Sequence, residues 1–526
     1  MCKKVFFKII QGTFAILMAL IAVATIILDK KVDNRYPNTV AYANVVYYLA
    51  AFIILFLSLV IYRHIRGEKD IDIRVYRGIM TVIPIAVWVG WQIPIARWIY
   101  WYQDTSSDFG NVMQAAISLN SGKSFADYPY FLMYPNNANF AIFLSWIYKI
   151  IPRMRGIILL GATLTNISAV LVAASVKNMT KSRFASVLSL ILAELLMAMN
   201  WRTFLIYTDN FGMIFVALIL WVYSLKIKDK YKMPLVIILA AMGTFVKITV
   251  LICLLAILIH RLLTGISENS KLVDKIKKAT PIFILAVAVF GMTFLAQRSL
   301  WSYHGLDLTG RYPDGWQYYF MLGQNSKFYG VYNSEDRVLR GTIVEEAKSL
   351  NENIEYVKAR LLTEGLERVK EREFWGNIKF YIKKINVAYN DGYFNNLQTL
   401  PPKVSHEPSK NLFYKILWKE NAGSLYQVYA GILQVSWDAV LLGLMASVIL
   451  LRKEESFKLF EIMILGITLY LMLFEDRSKY LYMFLPVYLC AGGESFAQCN
   501  QWYIRVKNSF GFYGKADKTE RKAEKV

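Results

Sequence analysis

Residues 234–262 read PLVIILAAMGTFVKITVLICLLAILIHRL. As one straight helix this run would rise about 44 Å, well past the roughly 30 Å hydrocarbon layer of a bilayer. Gly243 and Lys247 fall near its middle. Glycine weakens a helix interior, and a lysine is costly in hydrocarbon. The stretch therefore predicts a helical hairpin, two spans turning near Lys247.

Outward from this hairpin, further apolar runs occupy 9–28, 41–62, 78–100, 156–176, 184–200, 211–226, 280–298, 426–450, 458–474 and 480–497. With 234–262 counted twice, the fold class is an all-α polytopic membrane protein with about twelve transmembrane helices. Composition agrees. A chain of 526 residues that is 56% hydrophobic cannot bury its apolar surface in one globular core. The 34 Tyr and 13 Trp suit the aromatic belts found where membrane meets water. Lys3 and Lys4 precede a first run reaching Leu28 that lacks a small-residue cleavage site, so it reads as a retained helix.

The net charge of +22 raises the question of nucleic-acid binding. The basic residues instead cluster in short loops between apolar runs, as cytoplasmic loops do. Such loops carry Arg63, Arg66, Lys69, Arg74 and Arg77; Lys177, Lys181 and Arg183; Lys226, Lys228, Lys230 and Lys232; and Lys271, Lys275, Lys277 and Lys278. Arg452, Lys453 and Lys458 follow, then a basic tail after Tyr503. One orientation places all of these inside, with both termini cytoplasmic, at what reads as a bacterial plasma membrane. It requires the apolar stretch 138–152 to lie along the interface. The loop Asp29–Tyr36 carries three basic residues on the wrong side.

The resulting organisation is two N-terminal spans (1–77), a core (78–298) with an outer loop at 101–155, and a mostly helical outer domain (299–425). Closing spans (426–500) and a basic tail (501–526) complete it. A helical pattern runs over 339–372, with Glu345, Glu346 and Lys348 on one face. The four cysteines, Cys2, Cys253, Cys490 and Cys499, form no metal spacing. Glu194 lies inside a span with no evident partner.

Several constellations fall on the outer side. Trp101–Phe109 carries Asp104 and Asp108 just past the third span, where a carboxylate can serve as general base or simply be solvated. Tyr128-Pro129-Tyr130 through Tyr134-Pro135-Asn136-Asn137 suits a rigid sugar-contacting turn or an aromatic belt. Tyr207-Thr208-Asp209-Asn210 places a second carboxylate on the same face. Asp209 could cap the next helix, bind acceptor, or share a divalent metal with its neighbour. Lys247, costly inside its apolar run, suits a lipid phosphate or snorkels to the interface, and Arg477 and Lys479 break the positive-inside trend, which suits phosphate binding or a solvated turn of locally paired charges.

In these residues, over roughly 78–490, the chain resembles the multi-spanning GT-C glycosyltransferases, in particular the polyprenyl-phosphate-sugar-dependent branch that includes protein O-mannosyltransferases. The likeness rests on five features in the family's order. They are Asp108 followed by Ala115-Ala116 and Gly122, the Tyr130–Asn137 turn, Tyr207-Thr208-Asp209, the lysine in Gly243–Thr249, and Arg477–Tyr480 before Pro486. Met321–Asp336 is similar to bacterial members. Adjacent acids are common in the family's first loop, whereas Asp104 and Asp108 stand four apart, and Lys479 stands where Arg is common.

The resemblance implies a membrane-embedded hexosyl- or mannosyltransferase-like enzyme of the cell envelope. It would invert the sugar as it moves from a polyprenyl-phosphate donor to a glycan, lipid or protein acceptor. Asp108, in preference to Asp104, would be the base, with Asp209 assisting through acceptor or metal. Lys247, Arg477 and Lys479 would hold the donor phosphate, while Tyr130, Tyr134, Asn136 and Asn137 contact substrate. No cofactor beyond a possible divalent metal is implied. Two rivals stand: a transporter or lipid flippase for envelope glycans, marked by charges facing one another in mid-membrane, and a non-catalytic anchoring protein.

Overall fold

The computed structural model describes residues 2–28, 42–100, 107–264, 272–394, 403–404, 412–417, 424–452 and 454–509. The described chain is helical apart from one two-residue antiparallel bridge that pairs Ile99 with Val404 and Tyr100 with Lys403. Six helices are long and apolar enough to cross a membrane: Val5–Ile27, Asn44–Arg66, Ile73–Trp98, Met154–Thr180, Thr280–Tyr303 and Ser424–Leu450. The other apolar runs also fold as helices, each shorter or more polar. They are Arg183–Ala193 with its π-turn Glu194–Ala198, Thr208–Ser224, Asp229–Val246, Leu251–Thr264, Lys458–Leu473 and Leu485–Ser509.

The opening hairpin forms as read. Helix Asp229–Val246 stops, Lys247 is extended (φ −151°, ψ 117°), and a 3₁₀ turn Ile248–Val250 leads into the next helix. Gly243 permits this close turn, since a Cβ there would stand 2.8 Å from both Phe215 Cβ and Val250 Cγ1.

The two ends of the bundle differ in chemistry. At one end the basic loops tie together. Arg63 donates to Asn500 (2.5 Å), the amides of Arg183 and Phe184 donate to Asp70, and Gln11 donates to the Arg452 carbonyl. At the other end the two long segments meet. The Phe125 amide donates to the His304 carbonyl (2.8 Å), Trp301 Nε1 to Asn139 (2.7 Å), and the Asp314 amide to the Met133 carbonyl (2.8 Å). Around the sides, Phe52, Ile53, Ile54, Phe56 and Leu57 are half exposed, as lipid-facing residues are.

The pattern over 339–372 is two helices, Ser334–Ser349 and Ile354–Glu371. Asn351 takes a left-handed turn (φ 56°), and Asn353 caps the second helix by accepting from the Glu355 amide (2.9 Å). Asparagine tolerates the first role and favours the second. With helix Trp316–Gly323 they enclose a small separate core of Tyr318, Met321, Leu322, Ile343, Val344, Ala347, Val357 and Leu361.

A third helix, Glu373–Tyr389, leaves this domain and docks in the bundle. Asn386 donates to the Ala24 carbonyl (2.5 Å), and the Tyr389 hydroxyl hydrogen-bonds Thr468 (2.6 Å) and Tyr488 (2.8 Å). Its fully buried Lys384 donates to the carbonyls of Gly323, Met472 and Phe474 at 2.7–2.8 Å. One ammonium thereby satisfies two helix C-termini and fixes this small helical domain to the loop that begins at Phe474. The stretch 138–152 holds a helix, Ala138–Ile150, about 20 Å long and too short to cross alone.

Candidate active site

The site lies where the two long segments meet the bundle. Asp108 opens helix Asp108–Asn120, capped by Ser107, whose side chain accepts from the Gly110 amide (3.3 Å). Its exposed carboxylate accepts from two phenols, Tyr130 (3.1 Å, to Oδ1) and Tyr207 (3.4 Å, to Oδ2). Asn137 donates to the Tyr130 hydroxyl (2.6 Å) and so aims it.

The turn supplying these groups is a chain of short helices, Phe125–Asp127, Pro129–Met133 and Pro135–Asn137. Proline sits at the first position of the last two, where its fixed φ and missing N–H cost nothing. Phe125 and Phe131, both fully buried, anchor the turn beneath. Burial first, then the Asp108 charge, holds the Tyr130 phenol protonated far above its ordinary range. Asp108 therefore faces two committed donors.

Tyr207 also precedes helix Thr208–Ser224, whose first turn carries Asp209. Asp209 is 1% exposed, and each of its oxygens meets a cation. Oδ2 accepts from Arg202 (2.9 Å), and Oδ1 pairs with Lys247. Asp209 is therefore no helix cap, because its oxygens are turned to side chains. Nor does this donor set fit a divalent metal at Asp209, since both oxygens already carry cationic partners. Among the described residues no group of three or more His, Cys, Asp or Glu side chains could hold a metal ion.

Arg202 is 3% exposed, and its guanidinium lies over the rings of Trp201 (5.5 Å) and Tyr482 (5.6 Å). Asn210 ties down the turn that holds it by donating to the carbonyls of Arg202 (2.6 Å) and Leu205 (2.7 Å).

The third wall is the loop 475–482. The ammonium groups of Lys247 and Lys479 lie 5.6 and 4.9 Å from the centre of the same ring, Tyr480. Burial lowers Lys479 below the usual lysine range. Glu475 opposes that shift, Arg477 adds to it, and Asp108 also opposes it. Ser478 donates to Asp391 (2.8 Å), and the Asp476 amide donates to the Gly330 carbonyl (3.0 Å).

Of the sequence candidates, Asp108, Tyr130, Asn137, Asp209, Lys247 and Lys479 converge here. The Tyr134 ring lies tilted against Tyr130 at 5.0 Å, and Arg477 is half-buried beside Lys479. Asn136 is exposed at the rim, and Asp104 lies outside the described residues.

Sequence reasoning missed Arg202, Asp391 and the helical-domain residues Asp314 and Tyr319. Arg202 carries a usable signal, a basic residue between two apolar runs at the end opposite the basic loops. The same criterion picks out Arg477 and Lys479. Glu194 has a partner after all, the Asn166 amide at 3.5 Å.

No curated protein and no solved structure matches this chain. A family model described as "conserved hypothetical integral membrane protein" matches residues 1–499, nearly the whole length, and the chain belongs to that family.

Proposed function

We propose that this protein is a GT-C type glycosyltransferase, transferring a sugar from a polyprenyl-phosphate-linked donor to an acceptor at the membrane face opposite the basic loops. The observation that carries the reading is the trio of buried Asp209 and Arg202 with partly exposed Lys247. Two cations share one carboxylate in surroundings that water barely reaches, leaving one uncompensated positive charge. Buried charge demands a partner. A phosphodiester carries the single negative charge that balances it, and Lys479 adds a second point of attraction beside Tyr480.

Asp108 is the base in this reading. It takes the proton of the acceptor hydroxyl, whose oxygen attacks the anomeric carbon from the side away from phosphate. The bond from that carbon to the phosphate oxygen breaks, and the configuration inverts. The departing polyprenyl phosphate gains negative charge, which Lys247, Lys479 and Arg202 stabilise most at that moment. Tyr130 and Tyr207 hold the carboxylate in place, and Arg477 supports the phosphate side. The activated donor supplies the energy, and no step needs a metal.

The fold reading that goes with this is twelve crossings, both termini cytoplasmic, in a bacterial plasma membrane. Two buried acids speak against a relay across the bundle, and among the described residues Glu461 pairs only with Lys458 of its own helix (2.7 Å). Glu194 and Asp438 meet carboxamides, Asn166 and Gln434 (2.8 Å), where a charge relay needs facing opposite charges. The test is purified protein with a synthetic polyprenyl-phosphate-sugar, following release of polyprenyl phosphate. Release that depends on Asp108 and Lys479 supports the enzyme. Movement of intact donor across a vesicle bilayer without cleavage would support the flippase.

A further inference from the structure

Beside the site, where the helical domain meets the Tyr130–Asn137 turn, a second group of polar side chains carries buried atoms without hydrogen bonds. Asp314 has a side chain only 1% exposed. Its Oδ1 accepts from Arg340 (2.7 Å), while Oδ2 accepts no hydrogen bond. Tyr318 is 2% exposed and its hydroxyl is unpaired, as is Oε1 of Gln317. Buried polar atoms are rarely left this way unless something else satisfies them. Three within a single short stretch mark a place built for a polar guest.

The surroundings define that guest. The Asp314 amide is held to the Met133 carbonyl (2.8 Å), which sets the carboxylate next to Tyr134. Tyr319 packs 5.5 Å from Tyr318, and Tyr332 shares a hydrogen bond with Arg337. The group thus offers phenol hydroxyls, a buried carboxylate oxygen without a hydrogen bond, and ring faces. Arg340 is already neutralised by Asp314, and Arg337, the other cation acting on Asp314 and Tyr134, bonds Tyr332, so the atoms left without hydrogen bonds are a carboxylate oxygen, a phenol and an amide oxygen. Hydroxyl groups on an apolar ring plane match this set, because they both donate to carboxylate and accept from phenol. The group lies close to the base, since Asp314 acts on Tyr134, the Tyr134 ring lies tilted against Tyr130 at 5.0 Å, and Tyr130 donates to Asp108.

We infer that Asp314, Tyr318 and Gln317 form a subsite for a neutral saccharide, the acceptor portion next to the sugar that receives the transferred residue. This rests on the transferase reading for its role, and on the unpaired buried groups for its existence. Burial pushes Asp314 up to about 6 against the pull of Arg340, so near neutrality it keeps an acceptor oxygen for a sugar hydroxyl.

The experiment is saturation-transfer NMR on the full-length protein in detergent, with neutral methyl glycosides and disaccharides of glucose, galactose, mannose and N-acetylglucosamine. At least one should bind. Binding should weaken roughly tenfold in Asp314→Ala, which removes a charged acceptor, and a few-fold in Tyr318→Phe, which removes only a hydroxyl. Lys348→Ala, at an exposed surface lysine with no part in the site, should bind as the parent does. Loss of the transferase reading alone would show as saccharide binding that depends on Asp314 without any donor turnover. The inference is overturned if none of these saccharides binds, if binding is indifferent to both Asp314→Ala and Tyr318→Phe, or if it is lost equally in Lys348→Ala. In those cases the unpaired atoms hold only water.

Discussion

Asp108 and Asp209 are joined by a short path, since Tyr207 touches the first and begins the helix that carries the second. Their settings are nonetheless opposed. Asp108 is exposed, sits at the start of a helix, and is steadied by two neutral phenols. Asp209 is sealed in the bundle and spends both oxygens on cations. The first carboxylate is free to meet a proton, while the second is committed to holding positive charge in an apolar place. A pair of acids indistinguishable by spacing thus divides into an exposed half held by phenols and a buried half that holds cations. The difference comes from what the fold brings to each.

The sharpest way to break this contrast is to neutralise Asp209. Asp209→Asn leaves buried Arg202 and partly exposed Lys247 with no carboxylate, and removing one partner of a buried ion pair costs about 3–5 kcal/mol. Thermal unfolding in detergent should show a large loss for Asp209→Asn and almost none for Asp108→Asn. Equal losses would erase the distinction.

A third carboxylate gives the next effect. Burial raises Asp314 to about 6, while an unfolded aspartate titrates at about 3.9. The folded state then holds the proton more tightly, so stability from this group is complete below pH ~4 and falls as pH rises to ~6. The gap between folded and unfolded values makes that change at most on the order of 3 kcal/mol. Unfolding of the small helical domain, followed across the mildly acidic range up to neutrality, should show this slope, and Asp314→Asn should flatten it. An unchanged slope in the variant would remove Asp314 as its source.

Lys479 and Tyr207 test the two halves at smaller scale. Lys479→Met should lower kcat/KM for the lipid donor by ten- to a hundredfold, given about 1.5–3 kcal/mol for a charged hydrogen bond. Tyr207→Phe removes a long 3.4 Å bond to Asp108, and a two- to fivefold drop in kcat is expected, on the order of 0.5–1 kcal/mol. Steady-state kinetics decides both, and a larger effect from Tyr207 than from Lys479 would reverse the ranking.

Much of this architecture was legible because the bilayer imposes lengths. The run at 234–262 exceeds the membrane and holds a lysine, so the break at Lys247 follows from dimension and cost alone. Basic loops point to one end, and the structure ties several of them together there. Convergence was harder to see. Arg202 is hidden inside Asn200–Phe204, where a lone arginine between aromatics resembles an interfacial anchor. Helix Glu373–Tyr389 has a polar composition suited to an outer domain, yet Asn386 and Tyr389 carry it into the bundle through hydrogen bonds that no periodicity reveals. The break at Asn351 is concealed because both flanking helices have similar charge patterns. Asp314 and Tyr318 lie in a stretch without any motif.

The central claim is that Asp108 acts as a base beside a phosphate-binding floor. Its most direct test is single-turnover transfer from a radiolabelled polyprenyl-phosphate-sugar by the parent and by Asp108→Asn, both confirmed to be folded and to bind donor equally. The variant should bind donor normally and transfer roughly a hundred- to ten-thousandfold more slowly, as expected for loss of a general base. Transfer at the parental rate by Asp108→Asn would contradict the account.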